Sequence, residues 1–326
     1  MPARYLVSGA AGFIGARVTD FLTADGHEVV GIDNLNDAYD VRIKHYRLDR
    51  LQQIPGFSFY RGDICDRLLL EKIGAEQDHI DGIIHLAARA GVRVSTQNPW
   101  QVVDTNLVGS LNLLEFARQF EVPKFVLAST SSIYGAEPPF PTPEEADSSH
   151  PLQQYAASKK AAEVLSHVYH HLYGLDVTIF RYFTVYGPAG RPDLALFRFV
   201  QWIAEGRTIK MNGDGSQSRG FTYVDDIARG TILGLRPLGY EIINLGGHES
   251  ISMNDLIAMI EEILGKRGEV VNGPFHKADV MNNLADVSKA RRVLGWEPQV
   301  GLQQGVRNLV DWYLAERSWT SQVLTA

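Results

Sequence analysis

The opening of the chain is its most constraining stretch. Arg4-Tyr5-Leu6-Val7 reads as a strand, Ser8-Gly9-Ala10-Ala11-Gly12-Phe13-Ile14-Gly15 as a turn, and the residues up to about Ala24 as a helix. Glycines spaced three apart let the backbone approach a pyrophosphate closely and aim a helix N-terminus at it. Glycines also mark ordinary tight turns, so the context has to decide. A second strand, His27-Glu28-Val29-Val30-Gly31-Ile32, ends in Asp33 about 20 residues on, where a carboxylate can accept hydrogen bonds from an adenosine ribose. A negative charge there repels a 2′-phosphate, which favours NAD over NADP.

Strands and helices go on alternating. Phe57-Ser58-Phe59-Tyr60 is a third strand, and Asp63 beyond it could meet an adenine amino group or simply close a strand-end turn. Gly82-Ile83-Ile84-His85 is a fourth, running into Leu86, Ala87 and Ala88, small enough at its end for a cofactor to lie against the backbone. His85 reads as a packed, hydrogen-bonded histidine rather than a ligand. Residues 99–119 carry helical periodicity, and Asn106 within them is mildly unfavoured, which suggests that it is kept for a contact. The fifth strand, Lys124-Phe125-Val126-Leu127-Ala128-Ser129, delivers Thr130, Ser131 and Ser132 to the carboxyl edge of the sheet, where ligands bind in open parallel sheets. A plain Ser/Thr-rich turn would look the same. A sixth strand, Asp176 to Arg181, follows.

This order predicts an α/β fold: a doubly wound parallel sheet of Rossmann type, with a second, smaller α/β substrate lobe. Residues 1–181 plus about 222–246 are assigned to the dinucleotide-binding domain, and about 182–221 plus 247–326 to the lobe. Past Arg181 the segments Tyr182 to Pro188 and Gly190 to Asp193 read as loops, residues 194–205 as a helix, and Thr208 to Met211 as an edge strand. Ile242 to Leu245 returns to the first sheet, and helices are expected near 252–264 and 302–316. Residues 34–53, with Arg42, Lys44, Arg47 and Arg50, read as a solvated helix plus loop.

The chemistry concentrates in the helix after the Pro- and acid-rich loop 137–151. Tyr155 and Lys159 are four residues apart, so they share a helix face with β-carbons about 5–6 Å apart. A phenol keeps its proton to about pH 10 and needs nearby positive charge to act as a base. Lys159 can supply that charge. Farther along the helix, His167, His170 and His171 suit a surface or subunit contact better than a metal site, since no acidic or cysteine ligand stands near them.

Composition excludes other classes. A net charge of −7 argues against nucleic acid, whose binders carry a basic footprint. Cys65 is the only cysteine, which rules out an intrachain disulfide and a Cys-rich metal site. No metal is expected. With neither a basic leader nor an apolar run of about 18 residues, the expectation is a cytoplasmic protein that does not engage membranes.

Taken together, Ser-Gly-x-x-Gly-Phe-Ile-Gly, Thr-Ser-Ser-x-Tyr-Gly and Tyr-x-x-x-Lys in this order resemble the extended short-chain dehydrogenase/reductase family. The likeness runs on through Asp286-Val287-Ser288-Lys289-Ala290 and Leu294-Gly295-Trp296, so it covers nearly the whole chain. Within the family the chain looks most like the UDP-glucuronate 4-epimerases. Asp33-Asn34-Leu35-Asn36-Asp37 with Tyr39-Asp40 is similar to their adenosine-side loop, His85-Leu86-Ala87-Ala88 continuing into Ala90-Gly91-Val92-Arg93 to their substrate-phosphate side, and Gly190-Arg191-Pro192-Asp193-Leu194-Ala195 to the segment whose arginine meets the sugar carboxylate.

The resemblance implies NAD as a retained cofactor, a UDP-sugar substrate and a homodimer built from the helices near 100–119 and 152–173. It implies NAD contacts from Gly9, Gly12, Phe13, Ile14, Gly15, Asp33, Asn34, Asn36, Asp63 and Ile64, and from Leu86, Ala87, Ala88, Asn106, Tyr155, Lys159 and Tyr182. Substrate contacts fall on Arg93, Thr130, Ser131, Ser132, Thr184, Arg191, Lys210, Met211, Arg219, His276 and Asp279. Tyr155 would be the base at the sugar 4-hydroxyl, Thr130 would hydrogen-bond the same oxygen, and Lys159 would lower the tyrosine pKa and bind the nicotinamide ribose. A 4-keto uronate is a β-keto acid that loses CO2 once its carboxylate aligns with the carbonyl. A bidentate grip by Arg191, with Thr184 as second contact, would prevent that alignment.

Related decarboxylases tend to show Thr-Ser-Glu, and 4,6-dehydratases Thr-Asp-Glu, because their chemistry uses another carboxyl group. Thr130-Ser131-Ser132 has none, which favours plain epimerisation. Two departures concern nucleotide affinity. Gly220 stands where relatives usually carry Asp after the arginine, so a contact that orients Arg219 is in question. His276 stands where they often carry Arg or Gln near the diphosphate.

Overall fold

The computed structural model describes residues 2–247, 249–275 and 281–325, with the side chains of residues 92–94 left out. In chain order the strands are β1 (Arg4–Ser8), β2 (Glu28–Asp33), β3 (Phe57–Arg61), β4 (Gly82–His85), β5 (Lys124–Thr130), β6 (Asp176–Tyr182), β7 (Thr184–Tyr186), β8 (Ile209–Asn212), β9 (Ser218–Tyr223), β10 (Tyr240–Leu245), β11 (Ser250–Ser252), β12 (Val270–Gly273) and β13 (Asn282–Asn283). Seven of them form one sheet in the order β3-β2-β1-β4-β5-β6-β10, every pair parallel.

Apolar residues run continuously through these strands because both faces are covered. Successive side chains point to opposite faces. Val7, Val29, Ile84, Val126 and Phe180 pack with helices Phe13–Ala24, Val224–Leu233 and Ser288–Leu294. Their neighbours Leu6, Val30, Ile83, Phe125 and Ile179 pack with helices Arg67–Glu76, Gly109–Gln119 and Gln154–Tyr173. The doubly wound parallel sheet expected from the sequence is therefore present.

A second core gathers helices Ala195–Ala204, Met253–Leu264 and Leu302–Ala315 around Phe197, Trp202, Leu256, Ile260 and Tyr313. Beside it lie β7, β9, β11 and β13, and the parallel pair β8 and β12. Thr184–Tyr186 is thus a strand rather than loop, and the strand Ser218–Tyr223 and the helix Val224–Leu233 were not anticipated. Helix Arg42–Leu51 also departs from expectation: Lys44 and Arg47 are buried, and Ile43 enters the second core.

One polar network ties the frame together below the carboxyl edge. The Glu163 carboxylate, 2% exposed, accepts from Ser129 Oγ at 2.6 Å and from Arg181 Nε and Nη2 at 3.1 and 2.9 Å. Arg181 Nη1 also donates to Tyr134, whose hydroxyl donates to Asn244 of β10. Strands β5, β6 and β10 and the helix Gln154–Tyr173 are thereby cross-linked. Removing one member of a buried pair strands the other's charge. Arg181→Met should therefore lower stability by about 3–5 kcal/mol in urea unfolding, and a loss below about 1 kcal/mol, the scale of a surface pair, would show that the network carries little.

Candidate active site

Strands β1 and β4 lie side by side, and the loops leaving them part above their carboxyl ends. The glycine turn follows β1, Leu86-Ala87-Ala88 follows β4, and a cleft of about 830 Å³ opens there and extends to the second core. Gly9 has φ +74°, and a β-carbon on it would sit 2.7 Å from the Ala87 nitrogen. A β-carbon on Gly15 would sit 2.1 Å from the Gly9 carbonyl oxygen. The protein's own backbone thus demands glycine at both positions, before any ligand is considered. Helix Phe13–Ala24 begins at Gly12 with no side-chain cap, so its first amides are free to face an anion.

The far end of this half of the cleft is a connected polar set. Asp33 Oδ1 accepts from the Leu35 amide, Asn34 Nδ2 donates to Asp63 Oδ2 at 2.7 Å, and Asn36 Oδ1 accepts from Lys44 Nζ at 3.1 Å. Burial pushes the Asp63 carboxyl up, and bonds from the Cys65 amide and Asn34 more than offset it, so it stays below the usual carboxylate range. Lys44 Nζ also lies 3.7 Å from Asp33. Gly9, Gly12, Phe13, Ile14, Gly15, Asp33, Asn34, Asn36, Asp63, Ile64, Leu86, Ala87 and Ala88 all line the cleft.

Asn106 does not line it. Its amide accepts from the Arg89 amide at 2.8 Å and donates to Arg89 O and Ser158 Oγ, fixing the loop after β4 to the helix of Tyr155. It sits in a π-helical turn, Asp104–Val108, that interrupts the helix expected over 99–119. His85 is packed as expected, between Ser8 and Ser110. Burial and the charge of Lys159 push its pKa well down, so it is neutral.

Tyr155, Lys159 and Thr130 all line the cleft. Thr130 ends β5, where its Oγ1 accepts from the Ser132 amide, and its hydroxyl lies close enough to Tyr155 to favour the phenolate. Burial raises the Tyr155 pKa, and Thr130 and the positive charge of Arg191 oppose the rise. Arg191 is thus a cation that acts on the phenol. Lys159 is 1% exposed and its Nζ has no hydrogen-bond partner among the described residues. Burial brings its pKa down to about 8 against the pull of Glu163. A buried amine without an acceptor is rare, and it fits a cofactor that brings ribose hydroxyls.

Of the residues expected to meet substrate, Ser131, Ser132, Thr184, Arg191, Lys210, Met211 and Arg219 line the cleft, as does Tyr182, whose hydroxyl is spent on Thr231. Arg191 Nε and Nη2 donate to the two oxygens of Asp193, at 3.1 and 2.6 Å, and Nη2 also donates to Ala90 O. Burial works against the Arg191 charge and Asp193 restores it. Arg219 is oriented by the carbonyls of Ser218 and Met281. A β-carbon on Gly220 would lie 2.8 Å from Leu284 Cδ1, so a side chain after Arg219 would require the tip of that leucine to move. The Arg93 side chain, His276 and Asp279 lie outside the described residues. Sequence reading missed Lys44, Phe183, Gln217 and Asn283 in the wall; of these, Asn283 donates to Ser131 Oγ, a residue singled out in the Thr130 cluster, while Tyr39 of the adenosine-side loop also lines it.

Comparison with known proteins agrees with this geometry. A UDP-glucuronate 4-epimerase of Thermodesulfobacterium geofontis is 55% identical over 310 residues, 94% of this chain and 95% of that one. The solved UDP-glucuronic acid 4-epimerase of Bacillus cereus, in complex with UDP-glucuronic acid and NAD, superposes with a TM-score of 0.89 at 35% identity over 96% of this chain and 99% of its own. The UDP-glucose 4-epimerase of Thermotoga maritima, with UDP-glucose, gives 0.89 at 33% identity over 96% and 99%. With the family profile matching residues 5–246, a glycine turn that presents bare amides and an orphaned lysine beside Tyr155, the chain belongs to the NAD dependent epimerase/dehydratase family.

Proposed function

We propose that this protein interconverts UDP-glucuronate and UDP-galacturonate by inverting the sugar at C4 through a 4-keto intermediate. The observation that carries the reading is that Arg191 and Tyr155 share one cleft, near enough for the arginine's charge to act on the phenol. A base for the 4-hydroxyl thus has a carboxylate receptor beside it. Bound NAD supplies the acceptor that takes the C4 hydride and gives it back. Tyr155 holds and returns the proton of O4, Thr130 hydrogen-bonds that oxygen, and Lys159 donates to the nicotinamide ribose. Arg191 and Thr184 hold the carboxylate out of line with the carbonyl, while Ser131 and Ser132 contribute hydroxyls and no acid. Lys210, Met211, Arg219, Arg93, His276 and Asp279 are assigned to the UDP portion.

The reading keeps the division of labour between residues 1–181 plus about 222–246 for NAD and about 182–221 plus 247–326 for the UDP-sugar. Helix Arg42–Leu51 joins the two. A homodimer is supported by an apolar row on one helix face, Val164, Val168 and Leu172, all exposed, beside exposed Val108 and Leu111 of the neighbouring helix. A cytoplasmic location goes with the same reading.

Proton NMR of UDP-glucuronate incubated with the enzyme should show UDP-galacturonate and no loss of CO2. Release of CO2 would indicate a decarboxylase, and turnover of UDP-glucose alone a neutral-sugar epimerase. Tyr155→Phe should reduce kcat about 10³-fold with NAD still bound, and an active variant would reject the assigned base. Lys159 gives a separate test through stability. Its folded pKa, about 8, lies below the ordinary 10.5, so the unfolded chain binds more protons between those values and stability rises with pH there. Lys159→Met should therefore stabilise the dinucleotide-free protein by about 3 kcal/mol at pH 7, a gain that fades toward pH 10.5. A variant less stable than the parent at pH 7 would mean that the lysine is paired.

A further inference from the structure

Arg47 is a buried guanidinium with no carboxylate partner among the described residues. Its Nη1 donates to Ala11 O at 3.1 Å and to the Tyr39 hydroxyl at 2.8 Å. Its Nε and Nη2 donate to Ala189 O at 2.9 and 2.6 Å, and Nη2 reaches Gly190 O at 3.3 Å. The guanidinium carbon lies 5.6 Å from the Phe13 ring and 5.7 Å from that of Tyr39. One side chain therefore joins the glycine turn to the residues just before Arg191. Tyr39 completes the clamp, since its ring also lies 5.6 Å from the Arg191 guanidinium. Ala189 has φ +52°, a backbone conformation that a non-glycine residue adopts only when its surroundings hold it there.

We propose that Arg47 is a positioning residue that fixes the loop of Arg191 against the dinucleotide turn and so sets how faithfully the carboxylate is restrained. The proposal rests on the substrate reading above. If the loop slackens, the carboxylate of the 4-keto uronate can align with the carbonyl. The C5–C6 bond then breaks, its electron pair becomes the C4–C5 enolate, CO2 leaves, and a proton from solvent adds at C5. Lysine keeps the charge but has no planar fork, so it cannot bridge Ala11, Ala189 and Gly190 at once.

The test uses NAD-loaded Arg47→Met and Arg47→Lys beside the wild type. Two ratios are read: CO2 released per UDP-galacturonate formed, and, by calorimetry, affinity for UDP-glucuronate over UDP-glucose. The first should rise and the second fall by about tenfold, with affinity for UDP alone unchanged. A drop in melting temperature with both ratios at wild-type values would make Arg47 merely structural and overturn the proposal. If neither variant folds, a crystal structure of the wild type with UDP-glucuronate decides: the guanidinium on the Ala189 carbonyl supports the clamp, and a guanidinium elsewhere overturns it. A wild type that leaves UDP-glucuronate unchanged would reject the substrate reading and this proposal together, whereas an epimerising wild type with unaltered variants rejects this proposal alone.

Discussion

Everything in this site depends on two neighbouring strands sending their chains to opposite faces of one sheet. After β1 the chain enters helix Phe13–Ala24 on one face, and after β4 it reaches helix Gly109–Gln119 on the other. The two loops cannot stay together, and the crevice between them is a product of topology rather than of any one side chain. What side chains decide is how narrow it is. At its floor the Gly9 and Ala87 backbones touch, so the crevice is closed beneath and open above, where a flat dinucleotide fits.

Two buried cations that both feel the charge of Glu163 serve opposite ends. Arg181 is fully answered by Glu163, Tyr134 and a backbone carbonyl, and it stabilises the frame. Lys159 has no such answer among the described residues, its charge disfavoured by burial. Such strain concentrates at functional sites, where a ligand supplies what the fold withholds. The packed histidine His85 stays neutral next to it for the same reason: a second positive charge in that volume would be unsupported.

The sheet was readable in the sequence because most of its strands are short apolar runs, β1 and β5 ending in hydroxyl residues, and the pattern of Gly9, Asp33, Thr130, Tyr155 and Lys159 needed only local spacing. The rest depended on partners far away in the chain. Arg47 and Lys44 look solvated in a run of mixed charge, and what buries them are carbonyls and side chains at positions 11, 36, 189 and 190. Strand Ser218–Tyr223 carries no strong alternation and exists because β7, β11 and β13 pair with it. Asn106 was marked as kept for a contact, and among the described residues that contact is with Arg89 and Ser158, partners that helical periodicity cannot name.

The turn at Asp104–Val108 holds more chain per revolution than the α-helical segments that flank it. Trimming a single residue there would let the rod run regularly from Pro99 to Gln119, and it would also rotate Asn106 by about 100° away from the two elements it fastens. The irregularity is a phase adjustment: it brings the apolar side of the downstream segment into register with the sheet while keeping one amide pointed at the loop above.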